Sequence, residues 1–133
     1  MSLLRVSRSS IASLAPGDIL VIVAFVLVGE FSHGVLPWTV PVLVAETTLT
    51  FLVGWVAVAP LTWAYQRRNL SSPPGAAATA FLAWVGAAAV ANLIRSTSLV
   101  HGNGSVTFYL VSVAAGGAML AGWRYLRVRP LVS

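Results

Sequence analysis

The chain has 133 residues, of which 58% are hydrophobic and only 8% are charged. Because soluble domains carry about 25% charged residues, the few charged side chains here cannot cover a soluble exterior. The composition and the mean hydropathy of +0.88 therefore exclude a soluble protein, and they predict an all-α polytopic membrane protein with the lipid bilayer as its surroundings.

The net charge of +5 comes from arginine, since the sequence contains no lysine. Nucleic-acid binding needs a clustered basic surface, whereas these arginines separate apolar segments, so no nucleic-acid partner is expected. The absence of cysteine excludes disulfides, thiolate metal sites and thiol catalysis.

Residues 1–17 are predicted to form a cytoplasmic segment, either interfacial or a frayed tail. The first apolar run that follows is predicted to be an uncleaved span, because no small-residue cleavage site follows Val28. Pro16 and Gly17 suggest a break before that span. Asp18 is then placed to cap its helix, accepting from free backbone N–H groups near the positive end of the helix dipole.

Four apolar segments are long enough to cross the hydrocarbon core, since 18 residues of helix cover about 27 Å. They are predicted at 19–36, 42–65, 75–94 and 106–123, within a transmembrane domain of residues 18–124. Pro60 is expected to kink the second span. Residues 125–133 are predicted to be a cytoplasmic basic tail.

Small residues mark one face of the third and fourth spans, including the Ser112-x-x-x-Gly116 spacing. Such faces let helices approach closely. They favour either packing within the bundle or contact with a second copy or another membrane protein.

The arginines predict the orientation of the bundle in the cell membrane. Seven lie on one side of the four spans and Arg95 alone lies on the other, so both termini are predicted to be cytoplasmic. Trp63, Tyr65, Trp123 and Tyr125 then form an inner aromatic belt.

Several short motifs resemble those of a family of small prokaryotic membrane proteins that is classified only as a domain of unknown function. The matching residues are Asp18, Gly29, Ser32-His33-Gly34, Gly54-Trp55, Arg95 and Gly122-Trp123-Arg124. The resemblance covers about residues 18–124. It implies the four-helix fold and no particular activity.

Polar residues gather in the outer half of the predicted bundle: Glu30, His33, Glu46, Asn92, Arg95 and the loop residue His101. Ionisable groups within a membrane need partners. Glu30 and His33 are three residues apart and share a helix face. The favoured interpretation is a polar pocket held by an electrostatic clasp, in which Arg95 pairs with Glu30 or Glu46.

Other interpretations of this group are open. Glu30, His33 and Glu46 could hold a single metal ion, and His33 with His101 could hold haem. Glu30 and Glu46 could instead serve an oligomeric transporter or channel for protons or small solutes. No cofactor and no catalytic residue is predicted. The favoured function is a non-catalytic membrane subunit with an outward-facing pocket that is structural or ligand-accepting.

Overall fold

The computed structural model describes residues 8–62, 64, 65, 70, 72–98 and 105–132. These described residues form four α-helices: α1 (Arg8–Ser32), α2 (Pro41–Val58), α3 (Pro73–Arg95) and α4 (Val106–Val132). Each includes a stretch long and apolar enough to cross a membrane, and the described residues contain no strand. The predicted all-α, four-span membrane fold is therefore confirmed.

Helices adjacent in the chain pack against each other, and α4 also packs against α1, which closes the bundle. The helix ends that carry Glu30, Arg95 and the start of α4 lie at one end, here called the Glu30 end. The opposite end holds Asp18 and the last turns of α4, and is called the Asp18 end.

The closest helix contacts are made at glycine and alanine. The alanines of one α3 face are buried: Ala76, Ala80, Ala83, Ala87, Ala88 and Ala91. A Cβ on Gly54 of α2 would lie 2.3 Å from the carbonyl oxygen of Ala87, and one on Gly116 of α4 would lie 2.5 Å from the Trp84 ring. Thus the small faces of the third and fourth spans pack the interior of the bundle.

Aromatic rings fill the middle of the bundle. Phe51 stacks on Trp84 with centroids 5.2 Å apart, and Phe25 meets both rings edge-on at 5.3 Å. Trp84 is fully buried, and its Nε1 donates to the carbonyl of Ser112 at 2.7 Å. A buried indole N–H needs such an acceptor, so this bond fixes α3 against α4.

A second apolar cluster, Leu14, Leu70, Ala76 and Val128, lies at the Asp18 end. Val128 belongs to a part of α4 that continues to Val132, so most of the predicted tail 125–133 is helical.

At the end of α2, Ala59–Thr62 forms a 3₁₀ helix. Pro60 has no N–H to continue the α-helical bonding, which accounts for the change.

The predicted break before Asp18 and its capping role are wrong. α1 begins at Arg8 and runs through Pro16, so Asp18 lies within the helix, where backbone N–H groups are already used. Its carboxylate instead binds side chains of other elements, described below.

Candidate functional site

A cavity of about 90 Å³ lies between α1, α2 and α4 toward the Glu30 end. It is here called the Glu30 cavity. Its wall is mainly apolar and aromatic, with a few polar groups. The lining residues are Phe25, Val26, Gly29, Glu30, His33, Thr47, Phe51, Phe108, Val111 and Ser112. A mostly apolar cavity with a few convergent polar groups is the usual form of a small-ligand site.

Arg95 lies behind this wall and contacts two of the lining residues. Its Nη1 donates to Thr47 Oγ1 at 3.3 Å, and its guanidinium lies 4.2 Å from the centroid of the Phe108 ring. The charge of Glu30 also acts on Arg95. Arg95 thus makes a hydrogen bond to Thr47, and the charge of Glu30 acts on it as well.

Two side-chain atoms in the last turn of α3 have no hydrogen-bond partner in the described part of the chain. They are Arg95 Nε and Asn92 Oδ1, and both are buried. Asn92 precedes Arg95 by three residues, so the two share one face of α3. Unpaired buried polar groups are rare in folded proteins, and this pair therefore marks the last turn of α3 as under-satisfied.

The structure separates the remaining predicted residues. Glu46 is half-buried on α2, next to Thr47, and has an interaction of its own. Glu30, His33 and Glu46 do not form a group of three metal ligands among the described residues, which removes the single-metal interpretation at these positions. His101 of the haem interpretation and Trp63 of the inner belt lie outside the described residues.

A second polar group lies at the Asp18 end and was not predicted as a unit. Asp18 and Arg124 are both fully buried and form a two-bond ion pair. Arg124 Nε donates to Asp18 Oδ1 at 2.9 Å, and Nη2 donates to Oδ2 at 2.7 Å. Such paired bonds are the strongest form of arginine–carboxylate contact.

Three aromatic residues complete this group, which we call the Asp18 cluster: Asp18, Trp55, Tyr65, Trp123 and Arg124. Trp123 Nε1 donates to Asp18 Oδ1 at 3.0 Å, and the Tyr65 hydroxyl donates to Oδ2. Trp55 Nε1 donates to the Tyr65 hydroxyl at 3.0 Å. The cluster thereby joins α1, α2, the turn after α2, and α4.

Arg124 is also held by the turn after α2. Its Nη1 donates to the carbonyl of Ala64 at 2.7 Å, and its guanidinium lies 4.8 Å from the Tyr65 ring centroid. Asp18 receives four donors and Arg124 uses three of its nitrogens. Because a buried ion pair is stable only when its remaining hydrogen bonds are made, this arrangement is complete and closed.

The Tyr65 hydroxyl gives the cluster a testable pH dependence. Burial, followed by the charge of the Asp18 carboxylate, raises the pKa of Tyr65 above its ordinary value. A raised folded-state pKa stabilises the protein below the unfolded-state pKa, about 10 for tyrosine. That contribution is lost as the pH rises further.

We therefore expect Tyr65→Phe to lower the free energy of unfolding by about 1.5 to 3 kcal/mol near neutral pH, the worth of a hydrogen bond to a charged group. We also expect it to reduce the loss of stability above about pH 10. Thermal melts in micelles at several alkaline pH values would measure both effects. Tyr125→Phe is the control, since Tyr125 is 42% exposed. An unchanged alkaline profile in Tyr65→Phe would contradict the assignment.

Comparison with known families matches residues 15–127 to a family described as "Protein of unknown function (DUF3054)". The chain belongs to this family. No curated protein and no solved structure matches it. The matched region of the DUF3054 domain includes both the Glu30 cavity and the Asp18 cluster. The resemblance seen in the sequence is confirmed, and the family brings no assigned activity.

Proposed function

We propose that this DUF3054 protein is a non-catalytic membrane subunit that accepts a small ligand in the Glu30 cavity. The observation that supports this most directly is the cavity itself, where Glu30, His33 and Ser112 interrupt an aromatic wall. A purely structural clasp would fill that space with side chains, as the rest of the core does.

The structure favours binding over transport. Between the cavity and the Asp18 cluster lie Ile22, Trp84 and Leu120, none more than 1% exposed. A transport path that used Glu30 and Glu46 would have to open this apolar layer and then the closed ion pair. A binding site needs neither change.

For the orientation, we propose that the Glu30 end faces outward and both termini lie in the cytoplasm. Support comes from the sequence, in which the four-span topology assigns seven arginines to the side of the termini and Arg95 alone to the other side. A partner, whether a second copy or another membrane protein, would dock on the lipid-facing surface, because the buried small-residue faces of α3 and α4 are occupied within the bundle.

Cysteine labelling tests the cavity and its orientation together. The natural chain has no cysteine, and Gly29 lines the cavity with no atom within 4 Å of a built Cβ. We expect Gly29→Cys to react with small methanethiosulfonate reagents, including a charged, membrane-impermeant one added from outside the cell.

The matched control is Gly122→Cys, which also has no atom within 4 Å of a built Cβ and is exposed on α4 toward the Asp18 end. Lipid should protect it from the charged reagent. If Gly29→Cys is folded yet unreactive, the cavity is closed and the proposed function fails. Labelling only from the cytoplasmic side would overturn the orientation.

A further inference from the structure

We propose that a groove between α1 and α2 at the Asp18 end binds an acyl chain of an anionic phospholipid, with Arg8 at the level of the lipid phosphate. This groove is here called the α1–α2 groove, and its wall includes Ala15, Ile19, Trp55, Ala59 and Tyr65. It shares no lining residue with the Glu30 cavity, so the inference does not depend on the proposed function. The shape of the groove, its depth in the membrane and the charge at this end support it.

The α1–α2 groove is a preformed apolar space of about 240 Å³. Trp55 and Tyr65 are held in its wall by the Asp18 cluster, because Trp55 Nε1 donates to the Tyr65 hydroxyl and that hydroxyl donates to Asp18. Their rings are thereby fixed beside the space and do not fill it. A ligand that enters such a fixed groove pays little to order it.

The wall and the opening of the groove both suit a lipid chain. The polar atoms of Trp55 and Tyr65 already have partners, so the wall offers van der Waals contact to an apolar chain. Ile19 and Val56 also line the groove, and they are 41% and 66% exposed. Both belong to helices that are apolar enough to span the membrane. The groove therefore opens toward the acyl chains of the bilayer.

Arg8 lies on the same face of α1 as this wall. α1 is continuous from Arg8, and Ala15 and Ile19 follow Arg8 by 7 and 11 residues, which is close to two and three helical turns. The apolar span of α1 begins at Ala12, about 6 Å along the helix from Arg8. An amphipathic molecule lying along this face would thus place its polar group at Arg8 and its chain in the groove.

Charge decides which lipid binds. The sequence contains three acidic side chains, of which Glu30 and Glu46 lie toward the other end of the bundle. The third, Asp18, is bound to the buried Arg124. No further acidic side chain is present at this end to neutralise Arg8, and basic residues beside membrane spans attract anionic lipids. An anionic phosphate supplies the missing charge, whereas a zwitterionic headgroup brings a cation of its own.

Native mass spectrometry of the full chain released from micelles tests the headgroup. Palmitoyl-oleoyl phosphatidylglycerol and phosphatidylcholine, which have identical chains, are titrated separately. We expect phosphatidylglycerol to bind several-fold more tightly. Arg8→Gln should raise its apparent Kd about fivefold, the effect of one arginine near an anionic lipid surface. The matched control is Arg129→Gln, which removes the same charge from an exposed position of α4 outside the groove and should have little effect.

A second pair of variants tests the groove. Ala15→Phe fills it without changing any charge and should weaken the binding of both lipids. Its control is Ala118→Phe at an exposed position of α4. Melting temperatures check the folding of all variants, and Arg8→Gln decides the outcome if Ala15→Phe does not fold.

Five results would each overturn the inference. They are equal binding of the two lipids, equal effects of Arg8→Gln and Arg129→Gln, full lipid binding by a folded Ala15→Phe, competition by inorganic phosphate, and a second copy of the chain bound in place of lipid. None of these results depends on whether Gly29→Cys is reactive, so the Glu30 cavity is tested separately.

Discussion

Replacing Arg124 with alanine is expected to lower the free energy of unfolding by about 3 to 5 kcal/mol. The substitution removes both bonds to Asp18 and the bond to the Ala64 carbonyl. It leaves a fully buried carboxylate with only Trp123 and Tyr65 as donors. Unfolding by denaturing detergent in mixed micelles would measure the loss.

A double substitution separates the cost of an unpaired charge from the worth of the pair. Asp18→Leu combined with Arg124→Met should recover much of the lost stability, since apolar replacements of buried ion pairs are often neutral. Arg127→Ala is the control. Arg127 donates to Ser13 at an exposed position, and its loss should change stability by no more than about 0.5 kcal/mol. If Arg124→Ala and Arg127→Ala behaved alike, the buried pair would not hold the bundle together.

Gly54→Ala should lower the free energy of unfolding by about 1 to 3 kcal/mol. A Cβ at this position would lie 2.3 Å from the Ala87 carbonyl oxygen and 3.1 Å from its carbon. Because these are backbone atoms, a rotamer change cannot relieve the contact, and α2 must move away from α3. The same unfolding assay would detect the loss.

The opposite sign is expected for Gly122→Ala. No atom lies within 4 Å of a Cβ built on Gly122, so the substitution adds helix propensity without a clash. It should stabilise the protein by up to about 1 kcal/mol. Loss of stability in both variants would mean that any side chain is harmful to these helices, and the close contact of α2 with α3 would not be the cause.

The four spans were predictable because the bilayer imposes a simple rule. A helix that satisfies its own backbone and is apolar for about 20 residues crosses the membrane, and hydropathy reports this directly. The same rule led to the wrong start for α1. Pro16 and Gly17 resemble a break, yet helices continue through proline in membranes where packing compensates, and here α1 packs against α4.

The Asp18 cluster was not predictable, because its members look ordinary one at a time. Asp18 and Arg124 are 106 residues apart, and each has a familiar local explanation, as a cap and as a topology signal. The one sign of the pair was that both residues lie at a similar distance from the ends of their spans. Asp18 lies six residues inside one end of its span and Arg124 six residues inside one end of its own. Opposite charges at equal depth on one side are candidates for a pair.

The Glu30 cavity was likewise predictable only where the pattern along one helix was enough. Helix periodicity alone places Glu30 and His33 on one face, and both line the cavity. Ser112 was noticed only as a small residue. Its place in the cavity wall depends on how three helices pack, and its backbone carbonyl accepts from Trp84, 28 residues away.

The ion pair between α1 and α4 also bears on biogenesis. Synthesis proceeds from the N-terminus, so Asp18 reaches the membrane before Arg124 has been translated. At about 5 to 20 residues per second, the 106 residues between them take roughly 5 to 20 seconds. During that interval α1 carries an acid without its arginine, and the nascent bundle depends on protonation, water or the insertion machinery to shelter it. Assembly is complete only when α4 arrives.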